Sequence, residues 1–76
     1  MLGLNKILHK RYKTINDIKI DIEKFTNKKV TNIFVSQSER ISGCDCMLDL
    51  EFENDDDVYT IFYLLDNARQ IYITEI

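Results

Sequence analysis

An alternating stretch, residues 44 to 53, constrains the fold of this chain more than any other part of the sequence. Side chains of a strand point in turn to two faces, so the alternation predicts a strand with one buried face and one acidic face. An acidic turn, residues 54–57, follows it. The apolar set is Cys44, Cys46, Leu48, Leu50 and Phe52, and the other set is Asp45, Met47, Asp49, Glu51 and Glu53.

Residues 15–26 have the spacing of an amphipathic helix. Acids come early and lysines late, as the helix dipole favours, and Asn27 follows as a C-terminal cap. Ile18, Ile20 and Ile22 also alternate as in a strand. The helix is favoured because only a helix explains the charge order and both ends of the apolar stripe. The stripe consists of Ile15, Ile18, Ile22 and Phe25.

Residues 2–13 are amphipathic too, which extends the helical pattern towards the start of the chain. Two arrangements remain open. In the first, one helix covers residues 4–25 with a heptad-like apolar seam from Leu4 to Phe25. In the second, the helical pattern breaks at residues 14–17, where Thr14 or Asn16 caps a second helix. A run of poor helix formers at this point favours the break.

The remaining residues predict strands at 30–37, 44–53, 58–65 and 69–76, the last three joined by short turns as an antiparallel meander. Residues 58–65 are apolar on both parities, which predicts a central strand covered on both faces. The fold class is therefore α+β, with two layers: one or two N-terminal helices packed on a four-stranded, mainly antiparallel sheet, in the order α-β-β-β-β. This order of elements resembles that of cystatin-like domains, as a similarity of topology only.

A single domain spanning residues 1–76 is expected, because 45% apolar residues suffice for one compact core. No apolar run approaches the ~20 residues of a membrane span, and the first residues lack the features of a signal peptide. Cys44 and Cys46, two apart in a strand, are poorly placed for a disulfide. They are expected to be thiols in a reducing cytoplasm.

No constellation for catalysis or for cofactor or metal binding is recognisable, so the chain is not expected to be an enzyme. His9, the single histidine, is interpreted as a solvated helix residue. Cys44 and Cys46 supply too few ligands for a structural zinc site and are interpreted as core residues. Residues 49–57 lack the glycine and the terminal glutamate of a calcium-binding EF-hand loop.

Charge is distributed unevenly. Residues 1–29 carry a net charge of +5, from eight basic and three acidic residues, and residues 30–76 carry −8, from two basic and ten acidic residues. The basic side chains near the start either contact phosphates or an anionic surface, or form a solvated face; the solvated face is favoured. They are Lys6, Lys10, Arg11 and Lys13.

The acidic segment is the candidate binding site, with seven carboxylates and no intervening cation: Asp45, Asp49, Glu51, Glu53, Asp55, Asp56 and Asp57. A row on one parity forms if the strand persists to residue 57, and it consists of Asp49, Glu51, Glu53, Asp55 and Asp57. One interpretation is a surface that binds a basic groove. The other is a solvated sheet face that also keeps the edge from pairing with other chains.

The predicted function is a small acidic protein-binding module, of the kind by which phages or mobile elements inhibit a partner through its basic nucleic-acid-binding groove. The expected partner is a protein with a basic surface; binding to nucleic acid directly or to a membrane is not expected. The alternative is a self-associating assembly protein, a homodimer for example, that uses the seam from Leu4 to Phe25 or an edge strand.

Overall fold

The computed structural model of the chain describes residues 3–37 and 46–76. It confirms the α+β class and the order of a helix followed by four strands, and it adds a fifth, very short strand before the helix. The elements are a 3-10 helix at Leu4–Ile7, strand β1 at Arg11–Tyr12, helix α1 at Ile15–Thr26, and strands β2 at Val30–Gln37, β3 at Cys46–Phe52, β4 at Val58–Leu65 and β5 at Ile71–Glu75.

The five strands form one sheet in the order β1-β5-β4-β3-β2. Every neighbouring pair is antiparallel, as the predicted meander of β3, β4 and β5 requires. The two edges of the sheet are therefore β1, the shortest strand, and β2, one of the longest. A register shift between Val30 and Asn32 marks a β-bulge at the start of β2.

Helix α1 forms where the sequence predicts it, and the interpretation of this segment as a strand is wrong. The Thr14 hydroxyl accepts a hydrogen bond from the Asp17 backbone N–H at 3.2 Å, which satisfies one unpaired donor of the first turn. Asn27 ends the helix at φ 55°, and its N–H donates to the Glu23 carbonyl oxygen at 3.0 Å. Both predicted caps are thus present, and the break at Thr14 is confirmed.

The segment before Thr14 is not the predicted amphipathic helix. After the 3-10 helix, His9 adopts a left-handed backbone at φ 65° and the chain turns to run beside β5. The His9 N–H donates to the Ile73 carbonyl at 2.9 Å, and the Ile73 N–H donates to the Lys10 carbonyl at 3.1 Å. Helical residues here would forgo these bonds and the burial of Tyr12, so pairing with β5 outweighs the local helical pattern.

The core lies between one face of the sheet and the layer made by α1 and the 3-10 helix. The apolar parity of β3 is buried as predicted for Leu48, Leu50 and Phe52. The helical seam contributes to this same core, since Leu4, Ile18 and Ile22 are buried. The other buried apolar residues are Ile7, Tyr12, Val30, Ile61, Tyr63, Ile71 and Ile73.

Strand β4 is central, as predicted, but the prediction that both its faces are covered is wrong. Ile61 and Tyr63 are buried under the helical layer, whereas Phe62 and Leu64 on the opposite face are half-buried. On that outer face their cover is partial and comes from cross-strand neighbours, Met47 beside Phe62 and Tyr72 beside Leu64. A two-layer fold leaves one sheet face to solvent, and apolar pairs across the strands reduce its exposure.

Candidate functional site

The acidic segment does not form one continuous row. Strand β3 ends at Phe52, Asn54 takes a left-handed conformation at φ 61°, and the Asp55 N–H bonds to the Phe52 carbonyl at 3.3 Å. The parity that aligns the carboxylates is lost at this turn, so the predicted row ends at Glu51. Asp45, the first residue of the predicted site, lies outside the described residues.

Two of the predicted site residues lie on the outer face of β3 and bond to neighbouring strands. Asp49 accepts a hydrogen bond from the Thr60 hydroxyl on β4 at 2.8 Å. Glu51 accepts one from the side-chain amide of Asn32 on β2 at 3.2 Å. These carboxylates therefore tie three strands together, and a partner would have to compete with those bonds.

Asp55 organises the turn between β3 and β4. Its carboxylate accepts hydrogen bonds at 2.9 Å from the Asp57 backbone N–H and from the Tyr59 hydroxyl, and Lys28 Nζ approaches it to 3.7 Å. These contacts, the bond from Asp57 first, hold the pKa of Asp55 below its ordinary value. The hydrogen bond that the Tyr59 hydroxyl donates to the Asp55 carboxylate raises the pKa of Tyr59. Asp55 thus stabilises the turn and contacts the ammonium group of Lys28, a residue that follows the end of α1.

The other three predicted carboxylates, Glu53, Asp56 and Asp57, are exposed at this turn. They are the members of the predicted site that the fold leaves accessible and close together in sequence. The sequence places no cation among them, but the fold brings Lys28 to the same end of the sheet. The acidic surface is therefore smaller and more nearly neutralised than the sequence predicts.

A second surface is the β2 edge, defined here as the outward side of Val30–Gln37. In a chain with 30% charged residues, these eight contain no charge, no proline and no glycine. Phe34 is 54% exposed on the outer sheet face, and Val35 is 59% exposed on the face that carries α1. Natural edge strands are commonly protected by charge, proline or shortness, and β2 has none of these devices beyond the bulge at its start.

Within the described residues, no strand pairs with the outer side of β2, and this leaves backbone groups without a strand partner at defined residues. The Glu53 N–H donates to the Lys29 carbonyl at 2.9 Å, so in β3 every second residue from Glu53 back directs its backbone groups at β2. Their partners include Phe34, opposite Asp49. The intervening residues of β2, Ile33 and Val35, therefore direct their N–H and C=O groups outward from the sheet.

The opposite edge is closed by charge and by short length. Strand β1 has two residues, and Arg11 Nε contacts the Asp66 carboxylate at 3.1 Å while its guanidinium lies 4.5 Å from the Tyr72 ring centroid. Such features discourage the addition of another strand.

The basic part of the chain gathers around one aromatic ring. The ammonium groups of Lys6, Lys10 and Lys24 lie 5.9, 5.1 and 5.8 Å from the Phe25 ring centroid. Lys10 also contacts the Asp21 carboxylate at 3.0 Å. Cation–π contacts at exposed sites are worth about 0.5–1 kcal/mol each, so this cluster stabilises the packing of the N-terminal segment on α1.

Among the described residues, the candidate ligands and nucleophiles do not converge. Cys46 is a free, half-buried thiol packed against the core, and Cys44 lies outside the described residues. His9 lies in the turn before β1, not on a helix, with Nδ1 3.1 Å from the Tyr72 hydroxyl oxygen. Within residues 3–37 and 46–76, no three His, Cys, Asp or Glu side chains are grouped as a metal site.

Sequence reasoning identified β2 as a strand but not as the exposed edge. The sequence did contain an indication of this, because the segment from Val30 to Gln37 carries no charge, although a basic region precedes it and an acidic region follows it. Comparison with known proteins adds no assignment: no protein-family model, curated protein or solved structure matches the chain. In the described part of the chain, α1 is too short and too polar to cross a bilayer, and no other helix is longer.

Proposed function

We propose that this chain is a protein-binding module that accepts an added β-strand at the β2 edge. One observation supports the proposal: an eight-residue edge strand without charge, with Phe34 and Val35 more than half exposed and the backbone groups of Ile33 and Val35 directed away from β3. Strand addition uses such main-chain groups for affinity and the alternating side chains for specificity. No catalytic step is part of this proposal.

The Val35→Pro variant tests the edge directly. It removes an outward N–H that β3 does not use, and proline is tolerated on edge strands at such positions. Val35→Lys adds a charge at the same position without changing the backbone. Val58→Lys is the matched control, because Val58 is a valine of similar exposure, 55%, at the far end of β4.

The measurement is capture from a lysate of cells that express the chain, with the immobilised wild type and the three variants compared side by side. Wild type and Val58→Lys are expected to retain the same protein, and both Val35 variants are expected to lose it. Equal retention by all four proteins would refute binding at the β2 edge.

A second candidate function is binding of a basic partner through the acidic turn, including inhibition of a nucleic-acid-binding protein at its basic groove. The exposure of Glu53, Asp56 and Asp57 favours it. The remaining predicted carboxylates at Asp49, Glu51 and Asp55 already bond within the fold, which weighs against a surface dedicated to charge mimicry. We propose a cytoplasmic setting for either function, which suits the free thiol of Cys46.

The double variant Glu53→Lys with Asp56→Lys tests this second candidate while leaving Asp55 to hold the turn. Loss of capture at low salt, with capture by Val35→Lys intact, would favour the acidic turn over the β2 edge. Partner binding through exposed charges also weakens as salt is raised, because the Debye length shortens. Capture that is unaffected by both the double variant and salt would exclude the acidic turn.

A further inference from the structure

We infer that the strand added at the β2 edge is β2 of a second copy of this chain, so that two sheets join across a two-fold axis. This inference rests on the proposed function and names its partner. Self-association through the helical seam is not supported, because Leu4, Ile18 and Ile22 are already buried in the core of the same chain.

Charge favours a second copy as the occupant. The chain has a net charge of −3, so two copies carry net charges of the same sign. Strand β2 is an uncharged stretch of eight residues, and two such strands can meet without placing like charges opposite each other. A strongly basic partner would find no carboxylate on β2 itself.

The nearest carboxylates do not oppose this pairing. Asp49 and Glu51 lie on β3, one strand spacing inside the edge. In the joined sheet the two β3 strands are three spacings apart, about 14 Å. This distance exceeds the Debye length of about 8 Å at physiological ionic strength, so repulsion between the two pairs of carboxylates is largely screened.

The outward backbone groups also define a register. Residues that exchange hydrogen bonds across an antiparallel pair must both direct their groups at the partner. Ile33 opposite Val35 of the second copy satisfies this rule and gives extensive overlap of the two strands. In that register Phe34 faces Phe34 of the second copy as a non-hydrogen-bonded pair, in which side chains come closest. The Phe34 ring, which is 54% exposed in the single chain, is then covered by the Phe34 ring of the second copy.

The arrangement is an isologous interface, in which the same surface serves both copies. It is also closed, since the described residues of each chain form one such edge and the β1 edge is protected. The expected assembly is therefore a dimer and not a fibre. Larger assemblies would require a second unprotected edge.

The test is the oligomeric state of the purified full chain by sedimentation velocity, from micromolar to millimolar concentration. Wild type and the Val58→Lys control are expected to form a dimer. Val35→Pro and Val35→Lys are expected to weaken it by on the order of tenfold or more, since each dimer loses two backbone bonds or gains two cations placed diagonally across the two-fold axis. Circular dichroism of each variant verifies that the fold is retained.

Cross-linking tests the register, in a background where Cys44 and Cys46 are replaced by serine. Phe34→Cys is expected to form a disulfide-linked dimer under mild oxidation. Ser36→Cys, on the same face of β2, is the control, and the two copies of that residue would lie about four residues apart, some 13 Å, too far for a disulfide. Cross-linking of Ser36→Cys in preference to Phe34→Cys would overturn the register.

The outcomes separate this inference from the proposed function. A purified wild type that stays monomeric at millimolar concentration overturns the second copy as partner, while edge-dependent capture from a lysate would keep the strand-addition module. A dimer that persists unchanged in both Val35 variants overturns the β2 edge as its interface. A dimer lost in both variants and retained by Val58→Lys supports both.

Discussion

The two edges of the sheet differ in length, charge and what covers them. β1 pairs with β5 through two residues and is flanked by the contacts Arg11–Asp66 and Lys10–Asp21. β2 presents eight uncharged residues. Short length and charge are two features that protect natural edge strands. β1 has both of them and β2 has neither. The difference is the reason for proposing β2, and not β1, as the edge that binds a partner.

The largest expected difference in the free energy of unfolding is between substitutions of Tyr12 at the β1 edge and of Phe34 at the β2 edge. Tyr12 is 7% exposed and its hydroxyl donates to the Asp21 carboxylate at 2.8 Å. Tyr12→Ala is expected to lower the free energy of unfolding by about 3–5 kcal/mol, as for other large-to-small core changes. Urea denaturation measures this loss. Tyr12→Phe, which keeps the ring, is expected to cost about 1 kcal/mol; an equal cost for both variants would contradict a structural role for the β1 edge.

The next effect is the response to acid, which should act on the β1 side and, through Asp55, at the turn between β3 and β4, but not on β2, which carries no charge. Hydrogen bonds from Tyr12 and then Lys10 lower the pKa of Asp21, and the Gln70 backbone N–H, with further donors, lowers the pKa of Asp66. Carboxylates with a lowered pKa in the folded state contribute stability above their unfolded value near 4, and this contribution is lost as the pH falls through the folded pKa.

The measurement is the urea midpoint of wild type and Asp21→Asn between neutral pH and about pH 3. Wild type should lose stability as the pH falls below about 4, and Asp21→Asn should show a flatter dependence because one of the linked groups is gone. A midpoint for Asp21→Asn that falls as steeply as that of wild type would show that Asp21 does not take part.

A smaller effect is expected at the junction between β1 and α1. Thr14 caps the helix immediately after the edge strand. Thr14→Ala is expected to cost about 1 kcal/mol in the free energy of unfolding, and Thr14→Ser should restore most of it because a serine hydroxyl can accept the same bond. Equal stability of wild type and Thr14→Ala in urea would show that β1 and its pairing with β5 position the helix without the cap.

The smallest expected effect on stability is at the β2 edge itself. Phe34 is 54% exposed, so Phe34→Ala should change the free energy of unfolding of the monomer by no more than about 0.5 kcal/mol. The same variant should weaken self-association. Measured at low concentration, where only the monomer is present, a loss of several kcal/mol would place Phe34 in the core and remove the contrast between the two edges.

Much of the fold could be predicted because the signals are local. The helix caps Thr14 and Asn27 and the bounds of β2 and β4 follow from neighbouring residues. β1 could not be predicted in this way, because its residue 11 pairs with residue 72 and the local pattern is helical. Long-range pairing outweighs a local preference when it satisfies backbone groups that would otherwise be buried unpaired.

The acidic segment shows the limit of sequence reasoning at the candidate site. Composition identified seven carboxylates but not their partners, and the fold uses Asp49, Glu51 and Asp55 within its own hydrogen bonds. The left-handed Asn54 breaks the row, since Asn adopts this conformation readily within a turn. The uncharged β2 edge was visible in the sequence, but its position in the order of strands depends on non-local pairing.

The pairing of β1 with β5 has a consequence for how the chain folds. The hairpins β2–β3, β3–β4 and β4–β5 and the helix α1 each join residues near in sequence, whereas β1–β5 closes a loop of nearly the whole chain. Contacts between distant residues bear the largest loop-closure entropy and form late. Without β1, the outer side of β5 has no neighbouring strand, so the meander alone has two open edges. Docking of β1 covers β5 and leaves β2 as the long unpaired edge of the five described strands.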